Sequence, residues 1–241
     1  MLALVGVFLR NANLAEVWHV VRTAHPGLLV TGVACLFTTY VLRAVRWRVM
    51  LAPLGGVSLG YAFRATVIGF AASFVLPARA GEFIKPWLVA RREGLDPTAT
   101  FATVVIERML DLVAVLVLLG VFLLVFDPGV AALDPALFAA IRGGGLAAAG
   151  AAVAGMALLM VCASRPEVLA RLVAALTGWL PARARTLVRE LAAAFAGGLA
   201  VVRDPARLAT ALAWSLPLWI VIAAQIWVVS LALGVAMPAA G

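Results

Sequence analysis

Residues 112–126 carry no polar side chain, and the turn before them, Glu107-Arg108-Met109-Leu110-Asp111, carries three charges. At about 1.5 Å of rise per residue, a helix over this run covers about 22 Å, most of a ~30 Å hydrocarbon core. Backbone amides in hydrocarbon find no water, so the run is read as helix, which pairs its own. Glu107, Arg108 and Asp111 then lie in the outer third of a bilayer. Charge at that depth is costly and by default marks function.

The pattern recurs along the chain. Apolar runs fall at 27–42, 61–76, 99–126, 143–163 and 208–236, after a short run at 1–9. Of the 241 residues, 65% are hydrophobic and 12% charged, and a mean hydropathy of +1.11 lies far from ordinary soluble domains. The expected fold class is all-α: a polytopic helical transmembrane protein of about five spans plus a re-entrant hairpin and an interfacial amphipathic segment. The expected location is the cell (inner) membrane, with a multi-pass chain forming one integral membrane domain over 1–241. Run 1–9 lacks a basic flank and a small-residue cleavage site, so it reads as the remnant of a first span. The last run stops at Met237-Pro238, and the domain is expected to be truncated at one or both ends.

The net charge of +8 does not point to nucleic acid here. Lys and Arg gather in short segments between apolar runs, where they set topology and meet anionic headgroups. Cys35 and Cys162 lie in apolar stretches without Cys or His partners at ligand spacing, so neither a disulfide framework nor a metal site is expected. The sequence has no His-Glu-x-x-His run, no Gly-x-Ser-x-Gly elbow, no phosphate loop and no dinucleotide fingerprint. No catalytic residue, metal or cofactor is assigned.

Topology follows from the basic segments. Arg43, Arg46 and Arg48 end the second run, and Arg79, Lys85, Arg91 and Arg92 follow the third. Arg165, Arg171, Arg183, Arg185, Arg189, Arg203 and Arg207 lie between the last two, whereas segment 127–142 carries Asp127, Asp134 and Arg142. The positive-inside rule places the basic segments in the cytoplasm and the acidic one outside. A single crossing at 61–76 would contradict this. A re-entrant hairpin over about 61–90, turning at Pro77 to Gly81, removes the conflict. Segment 164–206 mixes Leu169, Leu172, Leu176, Leu187, Leu191 and Phe195 with arginines at helical spacing, the pattern of helices lying in the headgroup plane. In run 143–163, Gly143, Ala147, Ala151 and Gly155 recur every fourth position and permit close helix contact.

On a helix, Glu107 and Asp111 stand one turn apart and Arg108 beside them. Arg79, Glu82 and Lys85 sit on or after the proline and glycine break. Mutual pairing is the expected solution for such charges, with Arg79 set against Glu107 or Asp111 and Glu82 against Arg108. The six residues form either a structural clamp or a polar pocket for an anionic lipid headgroup, in which guanidinium groups suit phosphate best. Arg43, Arg46 and Trp47 read as an interfacial anchor, with a cation and an amphipathic ring at headgroup level. Trp18, Trp87, Trp179 and Trp214 take similar interfacial readings.

Three stretches together resemble the lysylphosphatidylglycerol synthase transmembrane region family, also described as flippase-like membrane proteins. They are Arg43-Ala44-Val45-Arg46-Trp47, the run from Ser73 through Pro77, Arg79 and Gly81 to Glu82 with Lys85 after it, and Glu107 to Asp111. The resemblance covers about 30–240; at Ser73 the family typically has Asn, and at Lys85 Arg. It implies a lipid-handling membrane region that moves a polar or anionic (glyco)phospholipid between leaflets. In its best-known members this region is joined to a cytosolic domain that makes the lipid. The implied partners are membrane lipids, with a separate synthase or glycosyltransferase as a further partner. Two alternatives stay open: a lipid-binding scaffold or accessory subunit of such an enzyme, and a membrane-embedded transferase.

Overall fold

Proline and aspartate set where the helices begin. The computed structural model describes residues 14–125 and 135–235; run 1–9, Asp127 and Asp134 of the acidic segment, and the residues from Met237 onward lie outside them. Among the described residues the order is α1 (Leu14–Thr23), α2 (Pro26–Leu51), α3 (Leu59–Val75), α4 (Gly81–Glu93), α5 (Pro97–Val125), α6 (Pro135–Ser164), α7 (Pro166–Leu176), α8 (Ala182–Gly198) and α9 (Pro205–Ala232). Short 3-10 turns occupy Pro77–Arg79 and Leu199–Arg203, and no strand is present among the described residues. The fold is all-α.

Helices α2, α5, α6, α7 and α9 open on proline, whose missing N–H would be unsatisfied at that position anyway. Asp96 Oδ1 accepts from Ala99 N at 2.8 Å, and Asp204 Oδ1 accepts from Ala206 N and Arg207 N at 3.1 Å, capping α5 and α9. At the other end of α4, Gly94 takes the left-handed conformation (φ 67°) that closes a helix.

Pro26–Leu51, Ala139–Ser164 and Pro205–Ala232 are long and apolar enough to cross a membrane, and Leu59–Val75 is a shorter apolar helix. α5 is 29 residues long and carries the charged turn of Glu107, Arg108 and Asp111.

The described residues divide into two compact units, one of 14–41 and 218–235 and one of 42–125 and 135–217. In the first, His25 N donates to Ala232 O at 2.9 Å, and Gly32 leaves room for the Val229 side chain. Trp18, Val30, Phe37, Ile226 and Trp227 remain exposed, as apolar side chains facing lipid would.

The second unit holds the main core. Ala44, Trp47, Met50 and Leu51 of α2, Ala62 and Ala65 of α3, Val89 of α4, and Ala102, Ile106 and Leu110 of α5 are buried together. α3 and α4 form an antiparallel helical hairpin: Tyr61 Oη donates to Leu88 O at 3.1 Å near its open end, and Gly69 meets Gly81 near its turn. A side chain on Gly81 would collide with the Gly69 carbonyl and with Ser73. The turn itself is strained, because Ala78 and Arg79 both take positive φ (56° and 54°).

Segment 164–206 forms α7, α8 and a 3-10 turn. Leu172, Leu176, Leu187 and Leu191 are exposed there and Trp179 is 82% exposed. The end of α8 belongs to the core, since Gly198 lies against the Ala99 carbonyl and Leu199, Val201 and Val202 are buried. Of the two cysteines, both free, Cys162 is buried and Cys35 half-buried.

Candidate functional site: a buried ion-pair cluster

Helical spacing on α2 places Arg43, Arg46, Trp47 and Met50 on one side, and the structure turns that side inward. Arg46 and Trp47 are wholly buried. Arg46 Nη2 donates to Glu107 Oε1 at 2.9 Å, and Nη1 to Asp111 Oδ1 at 2.6 Å and Ser215 Oγ at 2.8 Å. One guanidinium thereby joins α2 to two turns of α5 and to α9. Its planar fork suits this role, since its nitrogens diverge toward separate acceptors.

Glu107, wholly buried, is shared between helices. Its Oε2 accepts from Lys85 Nζ at 2.7 Å, which ties α4 of the hairpin to α5. Lys85 Nζ also lies 4.0 Å from the centroid of the Trp47 ring, a cation–π contact away from bulk water. The indole Nε1–H of Trp47 donates to Thr103 Oγ1 at 2.9 Å, and that hydroxyl donates to Thr100 O at 2.7 Å. Close packing lets Lys85 reach inward: a Cβ on Gly69 would stand 2.7 Å from that of Lys85.

Arg108 closes the cluster from its outer side. Its Nη2 lies 3.5 Å from Glu107 Oε1 and its Nη1 3.4 Å from Asp111 Oδ2, with the side chain 35% exposed. Arg43, half-buried one turn before Trp47, rests its guanidinium over Phe70 at 4.8 Å, and its charge acts on Glu107 and Asp111. Arg43 Nη1, Arg46 Nε and Arg108 Nε are buried donors without a hydrogen-bond partner. The cations Arg43, Arg46, Lys85 and Arg108 thus gather around two carboxylates, Glu107 and Asp111.

The expected pairing is corrected here. Arg79 is 77% exposed and pairs with its neighbour Glu82 at 3.7 Å, not with Glu107 or Asp111, and Glu82 does not reach Arg108. Arg79 sits in the left-handed turn and is exposed, with Glu82 beside it in the first turn of α4, so these two residues stand apart from the cluster while Lys85, one turn on, enters it. The anchor reading is corrected as well. Arg46 and Trp47 are enclosed in protein and do not face headgroups: burial gives each a polar partner and shuts it off from solvent. Ser215 and Thr103 were not foreseen. Both sit inside apolar runs, where a lone hydroxyl carries little signal. Among the described residues no group of three or more His, Cys, Asp or Glu could hold a metal ion.

A search against protein families matched the Lysylphosphatidylglycerol synthase TM region over residues 1–241. The chain belongs to this family. Glycosyltransferase AglD of Haloferax volcanii is 31% identical over 110 residues, covering 45% of this chain and 18% of the relative, so the chain spans only a small part of that protein's length. A search of solved structures returned no match. Within this lysylphosphatidylglycerol synthase TM region, the three stretches on which the resemblance rests each send a side chain into the cluster: Arg46 and Trp47, Lys85, and Glu107 with Asp111. The separations of 61 and 65 residues from Arg46 to Glu107 and Asp111 are closed where α2 meets α5, and the 22 residues from Lys85 to Glu107 where α4 meets it.

Proposed function

We propose that this membrane protein handles a polar or anionic (glyco)phospholipid, moving it between leaflets as a flippase-like translocase, with the cluster around Glu107 as the headgroup site. One observation above others supports this: four cations gather around two carboxylates, and three of those cations keep an unpartnered N–H. A lipid phosphate supplies the missing negative charge and the paired oxygens that guanidinium groups bind in two-pronged fashion. Arg108 is the point of access in this reading, being one-third exposed where Arg46 and Glu107 are enclosed. The hairpin of α3 and α4 is re-entrant, entering from and returning to the cytoplasmic side, and carries Lys85 to the site.

The test is transbilayer movement of labelled lipids by purified protein in liposomes, run across phosphatidylglycerol, an aminoacylated phosphatidylglycerol, a zwitterionic phospholipid and a glycosylated lipid phosphate. Movement of at least one class above protein-free liposomes is expected. Protein-free rates for all of them would count against translocation.

A second reading, a lipid-binding scaffold or accessory subunit of a separate synthase or glycosyltransferase, draws support from the match to part of Glycosyltransferase AglD. It requires lipid binding without transbilayer movement, together with co-purification of the enzyme.

A further inference from the structure

A second lipid-facing feature lies on the opposite side of α4 from Lys85. An open groove of about 500 Å³ runs between α4, α5 and α8, lined by Phe83, Ile84, Trp87, Thr98, Phe101 and Leu191. Its surface is almost wholly apolar. Phe83 and Phe101 of its lining stack in parallel with centroids 5.0 Å apart, yet Phe83 is 61% exposed, and Trp87 and Leu191 are nearly half exposed. An open apolar groove of this kind suits an apolar occupant.

The charge order along α4 indicates which one. Phe83, Trp87 and Arg91 follow one another at four-residue spacing, one turn apart on a single face, each step about 6 Å. The Arg91 guanidinium lies over the Trp87 ring, 5.2 Å from its centroid. Along this line the surface passes from apolar ring to amphipathic indole to cation, the sequence a phospholipid presents from acyl chain through interface to phosphate. Arg92 over Tyr61 at 4.3 Å adds a second cation at the same end of α4. Of the two acids at this end, Asp96 caps α5 through Ala99 N and Glu93 lies 3.8 Å from Arg92, which leaves Arg91 as the cation beside Trp87.

We infer that the groove between α4, α5 and α8 seats one acyl chain of an anionic phospholipid whose phosphate meets Arg91 beside Trp87. This site is separate from the ion-pair cluster: α4 presents Lys85 to the cluster and the Phe83–Trp87–Arg91 line to the groove. It does not depend on transport, and serves equally a protein that only binds lipid.

The experiment uses purified full chain in nanodiscs with phosphatidylglycerol bearing a diazirine at mid-chain, followed by peptide mapping. Labelling is expected on residues 83–101 and around Leu191. Leu191→Trp and Thr98→Trp each fill the groove from a partly exposed position and should cut that labelling about fivefold or more with the melting temperature unchanged. Arg91→Ala should cut it about fivefold, the order expected for one basic residue at an anionic surface. The same diazirine on an uncharged diacylglycerol should label wild type and Arg91→Ala alike. Undiminished labelling in both Trp variants would overturn the groove. Loss only in the Trp variants, with Arg91→Ala at the wild-type level, would overturn the phosphate contact. Cysteines at Phe83 and Leu191 that crosslink between copies while the lipid fails to label would assign the groove to a second copy and overturn the proposal.

Discussion

Lys85 Nζ stands 2.7 Å from Glu107 Oε2 with both side chains shut off from solvent, and this single ion pair fastens the helical hairpin to the long helix behind it. Neither residue is affordable there alone. Removing one member of a buried pair leaves the other charged and desolvated, at a cost of about 3–5 kcal/mol. Glu107→Gln, which strips Lys85 of its carboxylate, should destabilise the protein in detergent by that order, and Lys85→Met by less, since Glu107 keeps Arg46 at 2.9 Å; both losses read as lower melting temperatures. The double variant Lys85→Met with Glu107→Gln should recover part of the loss. Melting curves that overlay wild type for both single variants would remove the pair from the stability account.

Arg46 bridges Glu107, Asp111 and Ser215 with two nitrogens. Lysine keeps the charge but has a single ammonium on a flexible stem, which cannot meet acceptors on two helices in the same geometry. Arg46→Lys should therefore destabilise the protein by about 2 kcal/mol or more, since charged hydrogen bonds contribute about 1.5–3 kcal/mol each. Arg79→Lys should leave stability within about 0.5 kcal/mol of wild type, because an exposed pair such as Arg79 with Glu82 contributes little. Equal losses from the two changes would contradict the separation of turn and cluster.

The hairpin turn gives a prediction of opposite sign at neighbouring positions. Gly81→Ala drives a methyl group into the Gly69 carbonyl and should cost about 1–3 kcal/mol through overpacking. Ala78→Gly relieves a left-handed alanine (φ 56°) and should gain roughly 1 kcal/mol. Thermal melting of the two variants checks both signs.

Much of this was legible in the sequence because periodicity and break residues report local structure directly. The Pro77 to Gly81 break is the turn of the hairpin, and the charged turn of Glu107, Arg108 and Asp111 lies on the long helix that its apolar run predicts. The partners within the cluster were not legible. Contacts 61 to 169 residues apart depend on which face of each helix is buried, and charge alone made Arg79 look equivalent to Lys85. The spacing of Arg43, Arg46, Trp47 and Met50 held the missing signal, one helical side with two cations among apolar neighbours, which at a chain end looks the same as a headgroup anchor. The positive φ at Ala78 and Arg79, which turns Arg79 outward, has no signature in non-glycine residues.

Topology is open to direct labelling. If α3 and α4 form a re-entrant hairpin, single cysteines near Leu54 and near Glu93 react with a membrane-impermeant reagent from the same, cytoplasmic side. Reaction from opposite sides would make α3 an ordinary crossing.

The proposed headgroup site at the cluster is tested most directly by Arg108→Lys, at the one cluster residue that is partly exposed yet within reach of both carboxylates. The change preserves charge and removes the planar two-pronged donor. Phosphatidylglycerol retained by the purified variant is measured by native mass spectrometry, with the melting temperature taken on the same sample. The expected result is a loss of bound lipid of about tenfold, equivalent to about 1.4 kcal/mol, with melting close to wild type. Wild-type retention in a folded Arg108→Lys protein would contradict the placement of the headgroup at this cluster.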